Sequence, residues 1–68
     1  MQDLTAALLE LPVEQRGVFL AHEIDGLSMA QIASRDGIGI NTALARKRYA
    51  VLQLREKLAP FHHHYFAG

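Results

Sequence analysis

One segment, residues 27–49 (LSMAQIASRDGIGINTALARKRY), constrains the fold more than any other part of the sequence. Ser28 and Gln31 have the spacing of a capping box, in which each side chain binds the backbone of the other residue at the start of a helix. Gly37 is suited to the left-handed conformation that ends a helix, and polar residues that favour a new helix start follow it. Two short helices joined by a tight turn that contains glycine are typical of a helix-turn-helix.

The apolar and basic residues of this segment indicate how its two helices are used. We expect five residues to form the buried side of the helix-turn-helix: Leu27, Ile32, Ala33, Ile38 and Ile40. Asn41 or Thr42 is predicted to cap the second helix, because both side chains accept hydrogen bonds from backbone N–H groups. The second helix then presents Arg46, Lys47 and Arg48 in its second turn.

The remainder of the chain is predicted to form helices that support this unit. Apolar residues at helical spacing predict one helix over residues 3–10 and another over residues 13–24, separated by Pro12. The apolar face of the second of these is predicted to consist of Val18, Phe19, Ala21 and Ile24, with Phe19 the largest side chain of the core. The helix that follows the turn is predicted to extend over residues 42–58. Its packing face is predicted to be Ala43, Lys47, Ala50, Leu54 and Leu58, and its more exposed side Leu44, Arg48, Leu52 and Arg55.

Two residues interrupt these helical patterns. Gly17 lies inside a predicted helix, where glycine costs up to about 1 kcal/mol relative to alanine. It marks either a close crossing of two helices or a tolerated defect. Lys47 lies on a predicted packing face, where we expect its aliphatic stem to lie along the core while its ammonium group reaches water.

The length and composition limit the chain to one small domain. A chain of 68 residues without cysteine depends on helix packing for its stability. We predict an all-α fold: a small four-helix domain over residues 1–59 that contains the helix-turn-helix, followed by a flexible tail of His and aromatic residues, 60–68. The apolar runs are far shorter than the roughly 20 residues that span a membrane. With no recognisable signal peptide, a soluble, cytoplasmic protein is expected.

The charges are balanced in number but not in position. Residues 1–40 carry six acidic and two basic side chains, whereas residues 41–68 carry five basic and one acidic. A basic helix on an acidic body is typical of a protein that binds nucleic acid. The same pattern is also compatible with a solvated helix face, or with an acidic surface that meets a basic partner.

The sequence does not indicate an enzyme. It contains no recognisable pair of nucleophile and base, phosphate-binding loop or pair of carboxylates, and no cofactor is expected. His62, His63 and His64 are consecutive, so they cannot all face one ion from a regular helix. A tail that captures stray metal is therefore a better interpretation than a metal site.

A series of short motifs occurs in order along residues 4–58. They are Leu11-Pro12, Glu14-Gln15-Arg16, Val18-Phe19-Leu20, Glu23, Gly26-Leu27-Ser28, Ile32-Ala33, Gly37-Ile38, Asn41-Thr42, Arg46, Arg48-Tyr49-Ala50 and Leu54-Arg55-Glu56. In this order and spacing they resemble region 4 of bacterial sigma factors of the extracytoplasmic-function (group IV) type. The resemblance implies a four-helix domain that recognises the promoter −35 element in the major groove and contacts the flap tip of the RNA polymerase β subunit. It also implies an anti-sigma factor as a partner.

The resemblance assigns roles to residues of the second helix of the helix-turn-helix. Positions that contact the DNA backbone correspond to Asn41, Thr42 and Arg46, and positions that face the bases correspond to Leu44, Ala45, Arg48 and Tyr49. Leu44 and Ala45 cannot donate hydrogen bonds to phosphates or base edges, although they can contact thymine methyl groups. Tyr49 either contacts a base or packs against the domain.

Two other functions are compatible with the same fold. In the first, the domain binds an anti-sigma factor or polymerase without productive DNA binding, which the zero net charge and the apolar Leu44 and Ala45 favour. In the second, it is the dimeric helix-turn-helix of response regulators, which shares several of these motifs and would dimerise through the last helix.

Overall fold

The computed structural model of the chain describes residues 3–59, which fold into four helices. These are α1 (Leu4–Leu9), α2 (Val13–Glu23), α3 (Met29–Asp36) and α4 (Ile40–Lys57). α4 packs against each of the other three helices, and α2 also packs against α3. The predicted all-α fold is confirmed over these residues, with α3, α4 and the short turn between them forming the helix-turn-helix. The predicted tail and its three histidines lie outside the described residues.

The helix starts and stops of the N-terminal half follow the local sequence signals. Asp3 caps α1, because its Oδ1 accepts a hydrogen bond from the Ala6 N–H at 2.8 Å. The predicted capping box at α3 is confirmed: the Ser28 Oγ accepts from the Gln31 N–H at 3.0 Å, and the Gln31 Oε1 accepts from the Ser28 N–H at 2.8 Å. Gly37 ends α3 in the left-handed conformation, with φ +67°. These contacts fix both ends of the first helix of the helix-turn-helix.

The start of α4 differs from the prediction. Gly39 is the N-cap in an extended conformation, no side chain caps the helix, and Ile40 is its first residue. The expectation that Asn41 or Thr42 caps this helix is therefore wrong. The Ala43 N–H already donates to the Gly39 carbonyl at 3.1 Å, so both polar residues lie within the first turn. Their side chains are exposed instead of being engaged in capping.

A first core cluster joins α1 to the C-terminal half of α4. Its buried members are Ala7, Leu11, Ala50, Leu54 and Leu58, and Leu4, Leu8 and Phe19 pack against them while partly buried. Leu54 and Leu58 are fully buried. The predicted packing stripe of the last helix therefore meets α1 and α2 along this half.

A second core cluster holds the helix-turn-helix together. Its buried members are Val18, Ala21, Ile32, Ala33 and Ala43, and Leu27, Met29 and Ile38 pack against them while partly buried. Four of the five residues expected on the buried side of the helix-turn-helix contribute to this cluster. Because Val18 and Ala21 belong to α2, the cluster seats α3 and the start of α4 on α2.

Three apolar residues are placed differently from the prediction. Ile40 is 48% exposed, so the expectation that it is buried with Ile38 is wrong. The extended alternation that would align the two side chains ends where α4 begins, at Ile40 itself. Ile24 is 73% exposed, because α2 ends at Glu23 and Ile24 is the C-cap. Phe19 is only partly buried, and the largest fully buried side chains are aliphatic.

We expect Gly17→Ala to stabilise the domain by up to about 1 kcal/mol. A Cβ atom at Gly17 would meet no atom within 4 Å, so the structure shows a tolerated defect in α2 and no close helix crossing. Urea denaturation followed by circular dichroism measures the change. A matched Gly26→Ala variant should be destabilised, because Gly26 has φ +72°. A loss of stability in Gly17→Ala would contradict the prediction.

None of the helices within residues 3–59 combines the length and apolar content that crossing a bilayer requires.

Candidate nucleic-acid interface

The seven residues predicted to contact DNA all lie in the first ten residues of α4. Asn41, Thr42 and Arg48 are exposed, Leu44 and Tyr49 are 47% and 50% exposed, and Ala45 and Arg46 are partly buried. The opposite side of the same turns is buried through Ala43 and Ala50. The predicted contact residues thus lie on the side of α4 that faces away from the core.

These residues form two neighbouring stripes along α4. Asn41, Leu44, Ala45 and Arg48 line a shallow surface depression. Their spacing of three, four and seven residues places them on one side of the helix. Thr42, Arg46 and Tyr49 lie on the adjacent side by the same rule. The structure therefore brings three of the four predicted base-facing residues together with Asn41, a predicted backbone contact. Tyr49, predicted to face the bases, lies instead beside Thr42 and Arg46.

One aromatic contact links the two stripes. The Arg48 guanidinium lies over the Tyr49 ring, with 5.5 Å between the guanidinium carbon and the ring centroid. Such cation–π contacts contribute about 0.5–1 kcal/mol at exposed sites. The contact places the Arg48 guanidinium beside the exposed Tyr49 ring.

Lys47 does not belong to this exposed face. Its side chain is 15% exposed, and its Nζ binds the Glu23 Oε1 at 2.6 Å. The Nζ also lies 5.7 Å from the centroid of the Phe19 ring. The hydrogen bond from Lys47 lowers the pKa of Glu23. The expected burial of the lysine stem is found. The ammonium group, which was expected to reach water, contacts the Glu23 carboxylate of α2.

A second ion pair lies at the turn of the helix-turn-helix. The Arg35 Nε lies 2.8 Å from the Asp36 Oδ1, and this bond lowers the pKa of Asp36. The positive charge of Arg46 contributes in the same direction, to a smaller extent. Of the three consecutive basic residues in α4, Lys47 is bound to Glu23. Arg46 and Arg48 are therefore the two that lie on the outer side of the helix.

The described residues contain no group of three or more histidine, cysteine, aspartate or glutamate side chains arranged to hold a metal ion. Within residues 3–59, the site is a polar and apolar helix surface with two arginines, which has the composition of a DNA-reading face.

The sequence matches the family model for sigma-70, region 4, over residues 1–54. The match covers most of the 68-residue chain and includes α1, α2, α3 and the exposed face of α4. The chain belongs to the sigma-70 region 4 family. Region 4 domains bind the −35 element of promoters and interact with RNA polymerase, so the family is one of DNA-binding regulatory domains. No significant match to this region 4 chain is found among curated proteins or among solved structures.

Sequence reasoning missed the partners of two acidic residues of this region 4 domain, Glu23 and Asp36. Glu23 and Lys47 are 24 residues apart, and only the packing of α2 on α4 reveals their contact. The pair Arg35 and Asp36 did carry a signal, because adjacent opposite charges at a helix end are within reach of each other. Each pair places a carboxylate beside one basic side chain of the helix-turn-helix, Arg35 on α3 and Lys47 on α4.

Proposed function

We propose that this region 4 domain recognises a promoter −35 element by placing the N-terminal half of α4 in the major groove. The exposed and uncapped start of α4 supports the proposal most directly, because recognition helices of helix-turn-helix proteins read bases with their N-terminal residues. Arg46, Thr42 and Asn41 would contact the DNA backbone. Leu44, Ala45, Arg48 and Tyr49 would face the bases.

We further propose that the chain is of the extracytoplasmic-function type and acts in the cytoplasm with RNA polymerase, whose β flap it would contact. The order of motifs from Leu11 to Glu56 supports this assignment. An anti-sigma factor is proposed as a second protein partner. An exposed leucine of α4 outside the proposed DNA contacts supports such a partner, since Leu52 is 49% exposed.

We expect Arg46→Ala and Arg48→Ala each to weaken binding to a −35 duplex. Loss of a phosphate contact at Arg46 should lower affinity for all sequences alike and reduce the salt slope by about one, whereas loss of a base contact at Arg48 should cost about 1–3 kcal/mol and relax specificity. Fluorescence anisotropy at several salt concentrations measures both effects.

Arg16→Ala is the matched control for these variants, because it removes the same charge from α2, where the Arg16 guanidinium donates to the Leu9 carbonyl. Its affinity should stay close to that of the unchanged chain. Unaltered low-salt binding in both α4 variants would reject DNA recognition by this helix. It would favour the protein-interaction module, which a pull-down with an anti-sigma factor then tests.

A further inference from the structure

The depression on α4 has an unusual lining for a surface that faces DNA. Ala45 carries only a methyl group, so the surface dips between the longer side chains of Asn41, Leu44 and Arg48. Leu44 lies beside this dip, is 47% exposed and belongs to neither core cluster. The centre of the depression is therefore apolar, and its two ends carry an amide and a guanidinium.

The span of the depression corresponds to a short run of base pairs. Asn41 and Arg48 are seven residues apart, which is about 10.5 Å along a helix at 1.5 Å per residue. At about 3.4 Å per base pair, this distance covers roughly three base pairs. Leu44 and Ala45 lie at the middle of that span, where hydrogen-bonding groups at either end would set the register on the bases.

The chemistry of the major groove restricts what the apolar centre can recognise. All four bases present hydrogen-bonding atoms there, and only thymine also presents a methyl group. Leu44 and Ala45 have no side-chain donor or acceptor, so a base edge without a methyl group would lose water at this point without gaining a hydrogen bond.

We propose that the depression formed by Asn41, Leu44, Ala45 and Arg48 is a binding site for a thymine methyl group, so that Leu44 selects thymine within the −35 element. The inference rests on the proposed function, since it requires α4 to enter the major groove. The flanking polar groups favour DNA over a protein partner at this site. Arg48 provides the side chain that pairs with guanine, and Asn41, a proposed backbone contact, provides an amide that can bind a phosphate oxygen.

Comparison of thymine with deoxyuridine duplexes tests the proposal, because the two bases differ only in the methyl group. The probes are duplexes selected by the unchanged chain from a library with a randomised ten-base-pair window, at about 50 mM salt so that phosphate contacts remain strong. In each selected duplex, every thymine is then replaced by deoxyuridine, one position at a time.

Thymine should be enriched in the selection, and replacing it by deoxyuridine at one position should weaken binding about fourfold, the equivalent of one buried methyl group. Leu44→Ala should reduce this ratio to less than twofold. Leu52→Ala is the matched control: it is 49% exposed and lies eight residues further along α4, so the full ratio should persist.

The possible outcomes separate the inference from the function on which it rests. Selection of a sequence with equal affinity for thymine and deoxyuridine overturns the methyl site and leaves recognition by α4 in place. Failure to select any sequence overturns the proposed function itself. A methyl effect that survives in Leu44→Ala overturns the role of Leu44.

Discussion

Leu54→Ala should leave much of the domain unfolded near physiological temperature. Leu54 is fully buried in the first core cluster, where α4 packs on α1. Truncating a buried leucine to alanine costs about 2–5 kcal/mol. A single core in a domain of this size supplies only about 3–5 kcal/mol in total. Urea denaturation followed by circular dichroism measures the loss.

Leu52→Ala is the matched control for this experiment, because it makes the same change two residues away on α4. Leu52 is 49% exposed and belongs to neither core cluster. Its free energy of unfolding should change by no more than about 0.5 kcal/mol. Similar losses in the two variants would mean that α4 does not pack on α1 in this register.

Ile32→Ala should destabilise the domain to a similar extent and weaken DNA binding with it. Ile32 is fully buried in the second core cluster, between α2, α3 and the start of α4. The expected loss is again about 2–5 kcal/mol. DNA affinity should fall in proportion to the fraction of folded chain, because only the folded state presents the interface. Thermal denaturation and anisotropy on the same samples measure both quantities.

Ile24→Ala provides the corresponding control, since Ile24 is 73% exposed at the end of α2. Both stability and DNA affinity should remain close to those of the unchanged chain. An Ile32→Ala variant that is fully folded but no longer binds DNA would contradict the coupling and would point to a direct role for α3 in recognition.

The features that local interactions determine were predictable from the sequence. The capping box of Ser28 and Gln31 depends on residues three apart, and the left-handed turn at Gly37 depends on a single glycine. The packing face of α4 was also predictable, because Ala43, Ala50 and Leu54 recur at helical spacing and are all fully buried. In each case, the signal lies within the turn or the helix that it specifies.

Features that depend on distant contacts were not predictable in this way. Ile40 and Ile24 are apolar, which favoured burial, but both lie at helix ends and are exposed. The bond between Lys47 and Glu23 depends on how α2 lies on α4. For the interface, helical spacing indicated which residues share a side of α4, whereas the exposed fraction of each side chain needed the structure. The DNA contacts of the seven residues remain predictions.

α4 is both the proposed reading surface and the helix that packs against α1, α2 and α3. It therefore cannot detach from the body without the loss of both core clusters. Any ligand that binds only the folded chain raises the free energy of unfolding, by about 2.7 kcal/mol at a ligand concentration 100 times Kd. We thus expect promoter occupancy to protect this small domain from proteolysis, so that its lifetime in the cell depends on how much of it is bound.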